Sequence, residues 1–211
     1  MIGQLELFGT DEYPPRRADE IVCGVDEAGR GPLAGPVYAA AVILPYGLRI
    51  EGLDDSKKLS DSRRRELSKI IKESAIAFAV ASASSAEIDD INILRASMLA
   101  MRRAVEALSV RPELVLVDGN RAPDLSFPVQ CIVRGDEKCP CISAASILAK
   151  VARDDWMIKM DSLYPEYGFA RHKGYPTKLH YERLLRYGPA PIHRKTFLRN
   201  LSCRAEAPDG I

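Results

Sequence analysis

Ile21-Val22-Cys23-Gly24-Val25 runs directly into Asp26-Glu27. Gly29-Arg30-Gly31-Pro32-Leu33-Ala34-Gly35-Pro36 follows, and then Val37-Tyr38-Ala39-Ala40-Ala41-Val42-Ile43-Leu44, closed by Pro45. Two short apolar runs separated by a Gly- and Pro-rich connection read as two strands and a turn. Downstream, residues 60–73 open with Ser60 as an N-cap and are rich in Arg, Lys, Glu and Leu, which predicts a helix. Residues 75–83 read as a third strand of small side chains. From Ile91, apolar residues at Leu94, Met98, Met101, Val105 and Leu108 form one stripe of an amphipathic helix. Residues 114–117 and 129–133 are two more strands, 143–160 a long helix and 178–187 a shorter one; a loose tail is expected beyond Thr196. Strands first, then helices alternating with strands, predict an α/β domain with a central mixed five-stranded sheet, flanking helices and a helical C-terminal region.

The chain has 211 residues, 46% of them hydrophobic and 28% charged, as in an ordinary globular protein. A globally disordered chain is thereby excluded. At this length one domain is expected, placed at residues 20–197, with a polar lead-in at 1–19 and the tail at 198–211. No run approaches ~18 consecutive apolar residues, so no membrane span is expected. Five cysteines without a paired framework predict a reducing compartment, the cytosol, and a monomer is expected. No Gly-x₄-Gly-Lys-Ser/Thr loop is present.

A net charge of +1 hides an uneven distribution. Residues 171–204 hold nine Lys/Arg and one acid, a local +8; the last seven residues carry −2, which leaves −5 for residues 1–170. An acidic body with a basic arm suits a polyanionic partner held beside something that needs carboxylates. A solvated charged helix is the plainer reading of the same arm.

Three strands lead into acids: Asp26-Glu27 after the first, Asp118 after the fourth, Asp136 just past the fifth. Ligand sites in open α/β sheets lie outside the carboxyl ends of strands. If these three strands are parallel neighbours, ~4.8 Å apart, their carboxylates converge. Mutual repulsion then calls for a divalent cation, and all-oxygen ligation favours Mg²⁺ or Mn²⁺ over zinc. Two such ions ~3.5–4 Å apart suit phosphodiester hydrolysis. Strand-end acids also serve as caps or surface residues, so the pattern alone leaves both readings open.

The string Gly24-Val25-Asp26-Glu27-Ala28-Gly29-Arg30-Gly31-Pro32-Leu33-Ala34-Gly35-Pro36-Val37 resembles the opening signature of the type 2 ribonucleases H. The resemblance continues through Asp55-Ser56-Lys57-Lys58-Leu59-Ser60, Val117-Asp118-Gly119, Gly135-Asp136-Glu137-Lys138, the block from Ile142 to Asp154, and Tyr167 to Thr177. These blocks stand in family order across residues 20–197 and fit the bacterial ribonuclease HII branch. The related HIII enzymes carry an additional N-terminal domain, for which the lead-in is too short. The resemblance implies a ribonuclease H-like fold and hydrolysis of the RNA strand in RNA–DNA hybrids. It also implies incision 5′ of single ribonucleotides in duplex DNA, leaving 3′-hydroxyl and 5′-phosphate ends, as in ribonucleotide excision repair. The family's four acids map onto Asp26, Glu27, Asp118 and Asp136 as catalytic metal ligands. Asp26 is expected to bridge two ions, with Asp118 on one and Asp136 on the other. Adjacent strand residues face opposite ways, so Glu27 shares that side only if the strand ends or bulges there; otherwise its main-chain carbonyl is the available ligand.

Distinguishing ribose from deoxyribose requires hydrogen-bonding groups at one 2′-hydroxyl. The Gly29-Arg30-Gly31 turn suits this because absent Cβ atoms let the backbone approach, though such glycines also simply make tight turns. The resemblance implies that Tyr175 packs on the neighbouring sugar. Lys57 and Lys58, before a helix cap, are expected to grip phosphate, with Arg30, Lys173 and the basic arm on flanking phosphates.

Cys139-Pro140-Cys141 lacks the second pair that a structural zinc site requires. Asp154 and Asp155 are expected in capping or ion pairing, Trp156 in the core, and His172 either near the site or on the surface. Gln4-Leu5-Glu6-Leu7-Phe8 resembles the pentapeptide by which bacterial proteins bind the replicative sliding clamp, with Gln4, Leu5, Leu7 and Phe8 as anchors; an apolar tail folded back on its own domain is the alternative. Competing functions are another ribonuclease H-like nuclease, or a non-catalytic hybrid-binding module tethered to the clamp.

Overall fold

The computed structural model describes residues 19–53 and 59–199. Strand β1 (Val22–Ala28) pairs antiparallel with β2 (Val37–Ile43), and β2 antiparallel with β3 (Ala77–Ala83). On its other side β1 pairs parallel with β4 (Leu114–Asp118), which pairs parallel with β5 (Val129–Ile132). The sheet order is therefore β3-β2-β1-β4-β5, mixed as expected, with β1, β4 and β5, the strands that lead to the acids, side by side and parallel.

Strand alternation sorts the core into two layers. Val22, Ala40, Val42 and Leu116 pack with Leu67 and Ile71 of α1 (Asp61–Ser74) and with Ile142, Ile147 and Leu148 of α3 (Pro140–Leu163). Cys23, Val25, Ala39, Ala41, Val115 and Val117 face the other way, onto Ile88, Ala100, Met101 and Ala104 of α2 (Ser85–Glu106). Each large apolar side chain so enclosed contributes ~1.5–3 kcal/mol. Small residues along β1 and β2 let α3 lie close: a Cβ on Gly24 would fall 2.5 Å from the Cys141 carbonyl oxygen.

Ser60 caps α1 as expected, accepting from the Arg63 N–H at 3.2 Å. Helix α2 begins six residues before the apolar stripe that announced it. Ser84 and Glu87 form a reciprocal capping box, and Asn92 then breaks the helix at φ 68°. The Asn92 side chain re-caps the second part by accepting from Leu94 and Arg95, so periodicity alone reports only that part. Helix α3 starts at Pro140, a favoured first-turn residue, and encloses Cys139 and Cys141 in the core.

A third cluster, Leu33, Ala34, Met157, Tyr167, Phe169 and Leu184, ties α4 (Phe169–His172) and α5 (Lys178–Tyr187) to the end of α3, with Trp156 half-buried beside it. Where a loose tail was expected past Thr196, Lys195–Leu198 forms a 3₁₀ turn. Thr196 is bonded to Asp89, and Phe197 packs inward. No helix among the described residues is long and apolar enough to cross a membrane.

Candidate active site

The carboxyl ends of β1 and β4 deliver Asp26, Glu27 and Asp118 to one edge of the sheet. Asp136 arrives on a 3₁₀ turn (Gly135–Glu137) just after β5, entered through Arg134 in the left-handed region. Asp26 and Asp136 are buried, at 6% and 2% exposure. Asp26 accepts from the Glu27 N–H at 2.7 Å, and Asp118 from the Gly135 N–H at 2.7 Å, a bond that joins the β4 acid to the Asp136 turn.

Burial, and then the charges of Glu27 and Asp118, push the Asp26 carboxyl well above its ordinary range; a hydrogen bond from Ser146 of α3 opposes this. Burial also raises Glu27, against the attraction of Arg30, whose Nη1 lies 3.2 Å from Glu27 Oε1. The pairing of β1 with β2 is regular through Glu27 and Ala28, with no bulge to turn Asp26 and Glu27 the same way.

The donor set answers whether a cation fits. Three acids within electrostatic reach, one of them strongly destabilised as an anion, are what a divalent cation relieves. Among the described residues no group of three or more His, Cys, Asp or Glu side chains is already gathered as a metal-holding cluster. An open set of carboxylates matches hard cations such as Mg²⁺, which retain waters and take substrate phosphate oxygens as further ligands.

Beside the acids lies a cleft of about 290 Å³, lined by Glu27, Ala28, Gly29, Arg64, Ser146, Ile147, Lys150 and Tyr175. Tyr175 is 40% exposed, with Lys150 Nζ 5.6 Å and Arg153 Cζ 5.7 Å from its ring centroid. A Cβ on Gly31 would reach to 4.0 Å from the Tyr175 ring, and the Leu33 N–H donates to the Gly174 carbonyl at 2.8 Å. The turn after β1 and the loop before α5 thus form one wall. Gly29 takes φ 101°, and Arg153 occupies the space where its side chain would stand.

Behind Tyr175 two buried histidines, His193 and His180, form a neutral relay, with a third, His172, packed beside them. The Ala190 N–H donates to His193 Nδ1 at 2.8 Å, leaving Nε2–H to donate to His180 Nε2 at 3.0 Å. The His180 Nδ1–H then donates to the Tyr175 carbonyl at 2.9 Å. Burial pushes both histidines down to about 4. His172, stacked on His180 at 4.3 Å, accepts from the Gly174 N–H and is buried rather than on the surface.

Other expected site residues divide. Lys57 and Lys58 lie outside the described residues, as do Gln4, Leu5, Leu7 and Phe8. Arg30 is exposed and engaged with Glu27, while the Lys173 ammonium donates to the Ala170 carbonyl. The basic arm needs a correction: Arg194, counted in its charge, is 0% exposed and turned inward, so it is not part of a phosphate-facing surface. Asp154 and Asp155 pair with Lys150 (2.8 Å) and Arg65 (2.5 Å), as expected.

Sequence reading overlooked Arg64, Ser146 and Lys150. The signal was available for two of them: Ser146 and Lys150 are four residues apart in the block from Ile142 to Asp154, hence on one helical face. Nothing in the sequence marked Arg153 and Arg194 as interior.

A family model described as ribonuclease HII matches residues 23–200. The chain is 56% identical over 196 residues to ribonuclease HII of Bordetella avium (strain 197N), covering 93% of this chain and 95% of that one. Among solved structures it is similar to the ribonuclease H2 from Pyrococcus horikoshii OT3, at 29% identity and TM-score 0.71, covering 87% of this chain and 97% of that one. It is also similar to the ribonuclease HII in the PCNA:RNase HII complex from Archaeoglobus fulgidus, at 26% identity and TM-score 0.66, covering 86% and 96%. With its acids gathered at the strand ends and its relatives matched nearly end to end, the chain belongs to the ribonuclease HII family of metal-dependent endonucleases.

Proposed function

We propose that this chain hydrolyses the RNA strand of RNA–DNA hybrids and incises 5′ of single ribonucleotides in duplex DNA, leaving 3′-hydroxyl and 5′-phosphate ends. The observation that supports it is the meeting of the acid edge with the wall formed by Gly29-Arg30-Gly31 and Tyr175. Asp26, Glu27, Asp118 and Asp136 would hold two Mg²⁺ or Mn²⁺ ions. The unbroken β1 ladder favours the main-chain carbonyl as the Glu27 contribution. When bound, such ions supply an activated water and charge neutralisation on the phosphate.

The remaining work belongs to the chain's own groups. The backbone of residues 29–31 reaches the sugar of the ribonucleotide, where a 2′-hydroxyl offers a partner that deoxyribose lacks. Tyr175, held from behind by the histidine relay, packs against the next sugar. Arg64 and Lys150, on the cleft wall, attract the phosphates on either side, with Lys57, Lys58 and Lys173 contributing along the backbone. Ser146 holds the Asp26 carboxyl toward α3.

The deciding experiment compares duplexes differing by one 2′-hydroxyl, with and without Mg²⁺ or Mn²⁺, mapping the cut. Cleavage 5′ of the ribonucleotide that requires the ion supports the reading; equal cleavage of the all-DNA duplex refutes it. A second reading concerns residues 4–8, whose Gln4-Leu5-Glu6-Leu7-Phe8 pattern fits a sliding-clamp peptide; the Archaeoglobus relative was solved with PCNA. Removal of residues 1–9 should abolish clamp pull-down and leave cleavage intact, and retained pull-down would refute it.

A further inference from the structure

The loop from Gly29 to Pro36 is held by two interior arginines distant in the chain, Arg153 of α3 and Arg194. Arg194 Nη2 donates to the Gly29 carbonyl at 2.6 Å, Nη1 to the Arg30 carbonyl at 2.9 Å and Nε to the Gly35 carbonyl at 2.9 Å. Its own N–H donates to the Leu33 carbonyl at 2.8 Å. Arg153 takes the Ala34 and Pro36 carbonyls at 3.1 and 3.2 Å. Six carbonyls of an eight-residue loop are thus turned toward the interior. Both arginines are 0% exposed, and the Arg194 charge is met by carbonyl dipoles.

This arrangement fixes more than position. In a planar trans peptide the C=O of one residue and the N–H of the next point in opposite directions. With the Gly29 and Arg30 carbonyls on Arg194, the N–H groups of Arg30 and Gly31 face away from it. Consecutive amides oriented alike form a small donor concavity. A guanidinium spreads its five donors over three nitrogens in a plane and so spans three separate carbonyls, whereas a lysine ammonium concentrates its donors on one atom of a flexible stem.

We propose that Arg194 is a positioning residue for ribose discrimination: it touches no substrate, but sets the direction of the amides in the Gly29–Gly31 turn. The inference rests on the reading of that turn as the ribose reader. Asp89 of α2 supports the anchor by accepting from the Lys195 N–H, the Thr196 N–H and the Thr196 hydroxyl at 2.8, 2.9 and 2.6 Å.

The test measures affinity of the full chain, with Ca²⁺ replacing the cleaving ion, for a duplex containing one ribonucleotide and for its all-DNA counterpart across a salt series. For Arg194→Lys the preference for the ribonucleotide should fall at least tenfold, while the slope of log affinity against log salt stays at the wild-type value. A preserved preference overturns the proposal, and so does a slope reduced by about 1, the signature of a lost phosphate contact. A lower melting temperature with unchanged preference assigns Arg194 a structural role only and likewise refutes it. Absence of any preference in the wild-type chain refutes the ribose-reader assignment itself, a separate outcome. If Arg194→Lys does not fold, Asp89→Asn loosens the anchor while keeping the guanidinium. Its preference should fall severalfold, and a wild-type preference there overturns the proposal.

Discussion

Gly24→Ala is a one-carbon change whose sign discriminates between two physical accounts. In a strand interior, alanine is ordinarily better than glycine by ~0.5–1 kcal/mol, because glycine loses more backbone entropy on folding. Here the added Cβ would meet the backbone of the first turn of α3: the Cys141 carbonyl carbon and the Ile142 nitrogen are in collision range, and the Cys141 oxygen is 2.5 Å away. Restoring an ordinary contact of 3.4 Å to that oxygen alone requires a shift of about 0.9 Å. Neither partner is a flexible side chain, so α3 or β1 must move. Overpacking of this kind costs ~1–3 kcal/mol or more. For a domain of this size that lowers the melting temperature by roughly 2–4 °C per kcal/mol, on the order of 10 °C at the upper end. The same shift carries Ser146 away from Asp26 and alters the cleft wall. Displacements near 1 Å cost up to ~10²-fold in rate. Calorimetric melting and single-turnover cleavage of a ribonucleotide-containing duplex measure both effects. A melting temperature at or above wild type, with an unchanged rate, would refute the close-approach argument.

Asp26→Asn should stabilise the protein while abolishing cleavage. The native carboxyl is raised, so the folded state binds its proton more tightly than the unfolded state, and stability falls as pH rises through the interval between the two values. The variant should therefore melt higher than wild type at neutral pH, with the advantage vanishing in acid; a lower melting point at neutral pH contradicts this. His180 and His193 act with the opposite sign. Pushed down to about 4 from an ordinary 6.5, they bind fewer protons folded than unfolded, and stability is lost as pH falls from 6.5 toward 4. His193→Gln should flatten that limb of the melting profile, and an unchanged slope would refute the neutral relay. Tyr175→Ala removes a ring that is 40% exposed, so melting should change by only a few degrees while single-ribonucleotide incision drops at least tenfold; equal incision by the two proteins contradicts its assigned role.

Much of the architecture was legible because it is local. Short apolar runs, four of them beside Gly or Pro and the third a run of small side chains, marked five strands, and Ser60 announced the start of α1. Helix α2 was misplaced at its start because Asn92 interrupts it. Periodicity sees only the part with a continuous stripe, whereas the Ser84–Glu87 capping box depends on hydrogen bonds rather than hydrophobicity. The acids were visible for a similar reason: each lies at or just past the carboxyl end of a strand, and parallel neighbours must end on the same edge.

The sequence by itself determined which residues carry charge, which runs are apolar and with what period, and so the strand–turn–strand opening and the position of Asp26, Glu27, Asp118 and Asp136 at or near strand ends. The tertiary structure alone decided that Arg194 and Arg153 are interior, that Tyr175 stands beside the Gly29–Gly31 turn, and that His180 and His193 brace Tyr175 from behind. The physical reason is separation along the chain. An arginine's charge is the same on a surface or in a core, and what distinguishes the two is a set of carbonyls more than a hundred and fifty residues away that only folding brings within 3 Å of the Arg194 guanidinium.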